Sequence, residues 1–126
     1  MEVNCETDFV ARGDDFKAFA HDAAMHIAAA SPTWVSREDV PQEAIDTEIE
    51  IYSAQAKQSG KPDAVIQKIA EGKLNKWYAE VVLLEQPFVK DPDKTIDDMR
   101  RELVGKIGEN IEIRRFARFR VGDETA

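Results

Sequence analysis

Residues 111–121 alternate as a strand does, and a strand needs a partner. Ile111, Ile113, Ala117, Phe119 and Val121 share one face, interrupted by Arg115, while Glu112, Arg114, Phe116, Arg118 and Arg120 fall on the other. The other extended segment lies at the opposite end of the chain, where Val3 and Cys5 face one way and Asn4 and Glu6 the other. A small antiparallel sheet built from the first and last segments is therefore expected, and what lies between them reads mainly as helix. The expected class is α+β, a mostly helical layer packed on a small antiparallel sheet.

The helices are legible from spacing and punctuation. Phe16, Phe19, Ala20, Ala23, Ile27 and Ala30 form one stripe after the acidic start Asp14-Asp15, with Ala18, Met25 and Ala29 offering a weaker second side, and Ser31-Pro32 ends it. Ser36 caps a short turn in the connector that follows. Ala44, Ile45, Glu48, Ile49, Tyr52 and Ala56 then recur with helical period, from Pro41 to the stop at Gly60-Lys61-Pro62. Val65, Ile66, Ile69 and Ala70 begin another helix, with a break or kink expected at Gly72 before a further one carrying Leu74, Trp77, Tyr78, Val81, Val82 and Leu84. Trp34, Trp77, Tyr78 and Phe88 are expected in the core. Phe88 to Pro92 reads as an extended link, Thr95 as the cap of a last helix, and Gly108-Glu109-Asn110 as a turn. The folded domain is expected over 1–122, with a flexible polar tail over 123–126.

Composition limits what such a domain does. With 126 residues, 43% hydrophobic and 33% charged, the chain has the makeup of a globular domain. Its net charge of −8 repels phosphate backbones, so direct nucleic-acid binding is not expected. No apolar run approaches the roughly 20 residues of a membrane helix, and a single cysteine suits a reducing cytoplasm or an organelle matrix. Cys5 has no base beside it in sequence. His21 and His26 lack partners at metal-ligand spacing, and Glu6 with Asp8, or Asp14 with Asp15, suit caps and solvated faces. These residues point to no covalent or metal-dependent enzyme and to no cofactor; a hydrolase using Cys5 or Glu6 would lack a base and an oxyanion motif. Arg114, Arg115, Arg118 and Arg120 are expected to meet acids of a second subunit or partner, or to blunt a sheet edge with charge.

Function centres on Thr7-Asp8-Phe9-Val10. Thr7 and Asp8 can satisfy local backbone groups and start a turn or helix. Two large apolar residues then follow at the turn, beside an acid. From the residues, Phe9 either tucks into the domain's own core or is presented as an aromatic anchor with a neighbouring carboxylate. His26 has the same two readings, a histidine packed at the border of its helix's stripe or a contact residue.

The run Asn4-Cys5-Glu6-Thr7-Asp8-Phe9-Val10-Ala11-Arg12 resembles the signature of the elongation factor Ts family, nucleotide-exchange factors for elongation factor Tu. Ala24-Met25-His26-Ile27-Ala28, Gln58-Ser59-Gly60-Lys61-Pro62, Glu85-Gln86-Pro87-Phe88-Val89 and Lys106-Ile107-Gly108-Glu109-Asn110-Ile111 resemble that family as well, in its order. The resemblance implies helices layered on a three-stranded antiparallel sheet. It also implies a core, or dimerisation, domain cut at its N-terminal side, because relatives carry a hairpin strand and a small helical domain ahead of this segment.

For function it implies guanine-nucleotide exchange on elongation factor Tu in the cytoplasm, without a covalent catalytic site. Asp8 and Phe9 would be the intruding pair, Thr7 and Val10 would shape their turn, and Met25 and His26 would make a second contact with elongation factor Tu. A homodimer is expected, since two short strands alone leave an unpaired edge. The alternative is a folded dimerisation module with little or no exchange activity.

Overall fold

The helix expected from the Phe16–Ala30 stripe is the spine of the computed structural model, which describes residues 1–123. A four-residue helix, α1 (Asp8–Ala11), leads into α2 (Asp14–Ala30), which turns Phe16, Phe19, Ala23, His26 and Ile27 inward. Ala18 and Ala29 are exposed and Met25 is half-buried, so α2 packs on one face only. Ser31 ends it in the left-handed region at φ 52, and Pro32, lacking an N–H, cannot extend the ladder.

The connector after α2 is stitched to the end of a later helix. Leu83 N donates to Trp34 O at 2.7 Å and Leu84 N to Val35 O at 3.1 Å. Arg37 forks onto Glu85 with two bonds of 2.6 Å while lying 4.3 Å over the Tyr78 ring. Between these points α3 (Gln42–Gln58) and α4 (Asp63–Val81) form a helical hairpin that turns at Gly60, φ 72. The break expected at Gly72 does not occur, and the two helices expected there are one. Gly72 is exposed with open space where a side chain would be, and an exposed glycine costs a helix only about 1 kcal/mol against alanine. Val40, Tyr78 and Val82 make a small core at the hairpin's base, with Trp34 and Trp77 half-buried against it.

The segment expected as an extended link folds back on itself. β2 (Pro87–Phe88) and β3 (Asp91–Thr95) pair antiparallel, and Thr95 then caps α5 (Ile96–Ile107). β1 (Glu2–Asn4) pairs antiparallel with β4 (Glu112–Arg115), placing Val3 opposite Ile113. The class is therefore α+β as expected, with two small antiparallel sheets. The main core joins α2, α5, β4 and the start of the hairpin strand through Phe16, Phe19, Ile27, Leu83, Phe88, Ile96, Leu103, Ile111 and Ile113.

The strand expected over 111–121 is four residues long. β1 offers only Glu2 to Asn4 for pairing, and the register already slips at Glu2 opposite Arg115. Alternation without ladder partners makes no sheet, so Phe119 and Val121 end up 82% and 102% exposed. The arginines of this segment find partners inside the chain. Arg114 and Arg115 meet Glu2 at 3.5 and 2.9 Å, and Arg118 donates to Ala28 O. Asp123 closes a turn with Arg120, and residues 124–126 of the expected tail lie outside the described residues. Among the described residues, no helix is long and apolar enough to cross a membrane.

Candidate functional site

Thr7 sits at the hinge between β1 and α1 in an extended conformation, φ −133 and ψ 153. Its hydroxyl accepts from Val10 N at 3.4 Å, which caps the short helix. The same hydroxyl donates to Glu109 Oε2 at 2.7 Å. Glu109 Oε1 accepts from Thr7 N at 2.9 Å and from Glu6 N at 3.1 Å, and Asn110 N returns a bond to Glu6 Oε2 at 3.1 Å. One carboxylate from the α5–β4 corner thus gathers three donors from the two residues ahead of the turn.

The direction of α1 decides which side chains show. Val10 and Ala11 pack against the main core, so Asp8 and Phe9 must point away from it. Phe9 is 85% exposed, and the core position that the sequence left open to it is not where it lies. Asp8 pairs with Arg12 at 3.2 Å, and both side chains are 80% exposed. Such a solvated pair at one helical turn's spacing contributes little, so Asp8 is held loosely. Gly13 follows directly; a side chain there would come within 3.2 Å of Val10 O, which keeps the exit from α1 tight.

Met25 and His26 lie elsewhere on α2. Met25 is half-buried against the main core. His26 is wholly buried. Its Nε2 bonds Gln86 Oε1 at 2.9 Å and its Nδ1 accepts from Val89 N at 3.2 Å. The direct partner contact expected of His26 is therefore not available in this geometry. The physical reason is that β2 and the 89 position close over the ring, with Phe88 6.0 Å away centroid to centroid. What His26 does here is satisfy the backbone and side chain of the Gln86–Val89 segment.

Cys5 donates its S–H to Thr7 O at 3.2 Å rather than facing a base, and His21 is exposed. Among the described residues, no three His, Cys, Asp or Glu side chains gather in a way that could hold a metal ion. The arrangement offers an exposed aromatic, an adjacent loosely held carboxylate and a braced backbone.

A sequence profile described as Elongation factor TS matches residues 17–102. The chain belongs to the elongation factor Ts family. Elongation factor Ts of Geobacter sulfurreducens is 59% identical over 123 residues, covering 98% of this chain and 57% of that protein. The Carboxydothermus hydrogenoformans protein is 59% identical over 126 residues, 100% of this chain and 58% of its own. The one from Thermosipho melanesiensis is 56% identical over 123 residues, 98% and 63% respectively. The chain thus spans a little over half the length of the elongation factor Ts relatives it matches. The profile match takes in His26, Gln86 and the helical hairpin, while Thr7 to Val10 and Glu109 lie beyond it. The sequence reading missed Glu109 as a partner of Thr7. The visible signal was a carboxylate directly after Gly108 at a helix end, but nothing along the chain links it to a residue 102 positions earlier.

Proposed function

We propose that this chain is a translation elongation factor that promotes GDP release from elongation factor Tu, acting in the cytoplasm through the Asp8–Phe9 turn and without covalent catalysis. The observation that carries the reading is the 85% exposure of Phe9 at a capped and braced turn, in a chain of the elongation factor Ts family. A large aromatic held in water beside a carboxylate is poor economy for a fold and good economy for an interface anchor.

Exchange requires that the factor bind the nucleotide-free partner more tightly than the GDP-bound one. On this reading Phe9 enters an apolar slot near the partner's nucleotide pocket. Asp8 leaves Arg12, at little cost, and displaces groups around the magnesium ion that hold the phosphates. Thr7 and Val10 fix the turn, one as cap and the other as core anchor. Met25 remains a candidate flanking contact, and His26 serves from behind by holding the Gln86–Val89 segment.

The test is release of a fluorescent GDP analogue from elongation factor Tu with and without the chain, compared with Phe9→Ala. Acceleration lost in the variant supports the reading. A folded chain that gives no acceleration leaves the second reading, a dimerisation module. That reading is favoured by the exposure of Phe119 and Val121 beside β4 and by the pairing of β1 to β4 alone among the described residues. Sedimentation equilibrium of the chain, with Phe119→Ser as control, tests whether it forms a homodimer through that segment.

A further inference from the structure

We propose that Glu109 is a positioning residue for exchange, setting the aim of the Asp8–Phe9 turn without touching the partner. The inference rests on the exchange reading above and names the residue that makes the turn competent.

The geometry is reciprocal. Glu6 and Thr7 send three donors onto the Glu109 carboxylate, at 3.1, 2.9 and 2.7 Å, and Asn110 N sends one back to Glu6 at 3.1 Å. The Thr7 hydroxyl has a single proton, and Glu109 takes it. Its lone pair is then left pointing at Val10 N, which is the bond that caps α1. Glu109 therefore chooses the hydroxyl orientation that starts the helix carrying Asp8 and Phe9.

Beyond the part-buried packing of Val10 and Ala11, that helix has little else. Four residues are far too few to hold helical form by themselves, and α1 contains no fully buried residue. The corner that presents Glu109 is firm by contrast. α5 ends at Gly108 in the left-handed region, φ 79, and Ile111 just beyond is wholly buried. The brace thus transmits the rigidity of α5 and β4 to a turn that would otherwise fray. A wedge that must enter a slot gains from being fixed beforehand, because the ordering cost is not then met during binding. Glu109 lies outside both core clusters, so its loss should loosen the turn and spare the fold.

The experiment measures release of a fluorescent GDP analogue from elongation factor Tu against factor concentration, for the full chain and for Glu109→Ala, Glu109→Gln, Thr7→Val, Phe9→Ala and the Phe9→Ala/Glu109→Ala pair. In Glu109→Ala the plateau rate is expected to fall about tenfold, the size of one or two partly replaced charge-assisted hydrogen bonds. Mere loss of folded protein would lower only the apparent concentration. Glu109→Gln is expected to recover part of the plateau, since its amide oxygen still accepts the two backbone N–H groups while its NH2 cannot accept the Thr7 hydroxyl proton. Adding Glu109→Ala to Phe9→Ala should cost less than Glu109→Ala costs alone, since only the aim of Asp8 is left to lose. Amide hydrogen exchange at Thr7 and Val10 should quicken in Glu109→Ala in the absence of any partner. If Glu109→Ala does not fold, Thr7→Val carries the test through the shared hydroxyl, with a several-fold lower plateau expected.

An unchanged plateau in Glu109→Ala or Thr7→Val, with the unmodified chain active, overturns the inference and leaves the exchange reading standing. So does a Glu109→Gln variant whose plateau falls as far as in Glu109→Ala while amide exchange at Thr7 stays as slow as in the unmodified chain, which would mean that the charge itself meets the partner. The full tenfold loss repeated on top of Phe9→Ala overturns it as well. No acceleration by the unmodified chain removes the exchange reading and this inference together.

Discussion

Nε2 of His26 lies 2.9 Å from Oε1 of Gln86, with both side chains buried. Val89 N donates to the other ring nitrogen, Nδ1, at 3.2 Å, so the ring proton must sit on Nε2 and point at Gln86. Gln86 in turn donates its amide to Glu80 O at 2.7 Å. The network ties α2 to the end of α4 and to the residues at β2. His26→Ala would leave a buried amide oxygen and a part-buried N–H without partners. The expected cost is about 2–4 kcal/mol, read as a lower urea midpoint with an unchanged slope. A variant of unaltered stability that loses binding to elongation factor Tu would instead return His26 to a contact role.

Phe9→Ala should behave in the opposite way. A side chain 85% exposed contributes almost nothing to folding, so the urea midpoint should stay within about 0.5 kcal/mol of the unmodified chain. Exchange is the property expected to go. Matched losses of stability and exchange would mean that Phe9 packs inside in solution.

The helical hairpin should weaken in alkali. Burial first, and then the Glu48 carboxylate one turn earlier on α3, push the Tyr52 phenol up to about 12. In the unfolded chain it titrates near its ordinary value of about 10. The fold therefore favours neutral Tyr52. That stabilisation is complete below about pH 10 and is lost as pH rises through about 12. Melts of the unmodified chain and Tyr52→Phe over this window should converge on the acid side, with only the former losing the extra increment on the alkaline side.

The start of α5 rests on a reciprocal cap, with Asp98 N donating to Thr95 Oγ1 at 3.1 Å and Thr95 N to Asp98 Oδ2 at 3.0 Å. Thr95→Ala should cost about 1 kcal/mol of unfolding free energy in urea titrations. The Thr95 backbone bond, then the Thr95 hydroxyl, hold the Asp98 carboxyl below its ordinary range. Its contribution is present above the unfolded value of about 3.9 and is lost as pH falls through the lower folded one. Asp98→Asn should flatten that acid limb of the stability profile.

Much of this architecture is local and therefore readable along the chain. The α2 stripe, the stop at Ser31-Pro32, the glycine and proline between α3 and α4, and the Thr95 cap all depend on residues within a turn or two of one another. The readings that failed depended on what lay opposite. Phe119 and Val121 alternate correctly for a strand, but β1 has no ladder groups left to pair with them. Gly72 carries the mark of a break, yet open space around it let α4 run on.

The sequence by itself determined the family, the helical layer and the position of the turn, because periodicity, caps and ordered motifs are properties of neighbours in the chain. Only the tertiary structure decided which way Phe9 faces, that His26 is sealed beneath the Gln86–Val89 segment, and that Glu109 grips Thr7 from 102 residues away. Exposure and long-range hydrogen bonding are set by which surfaces meet when helices and strands pack, and that meeting is not encoded at any single position.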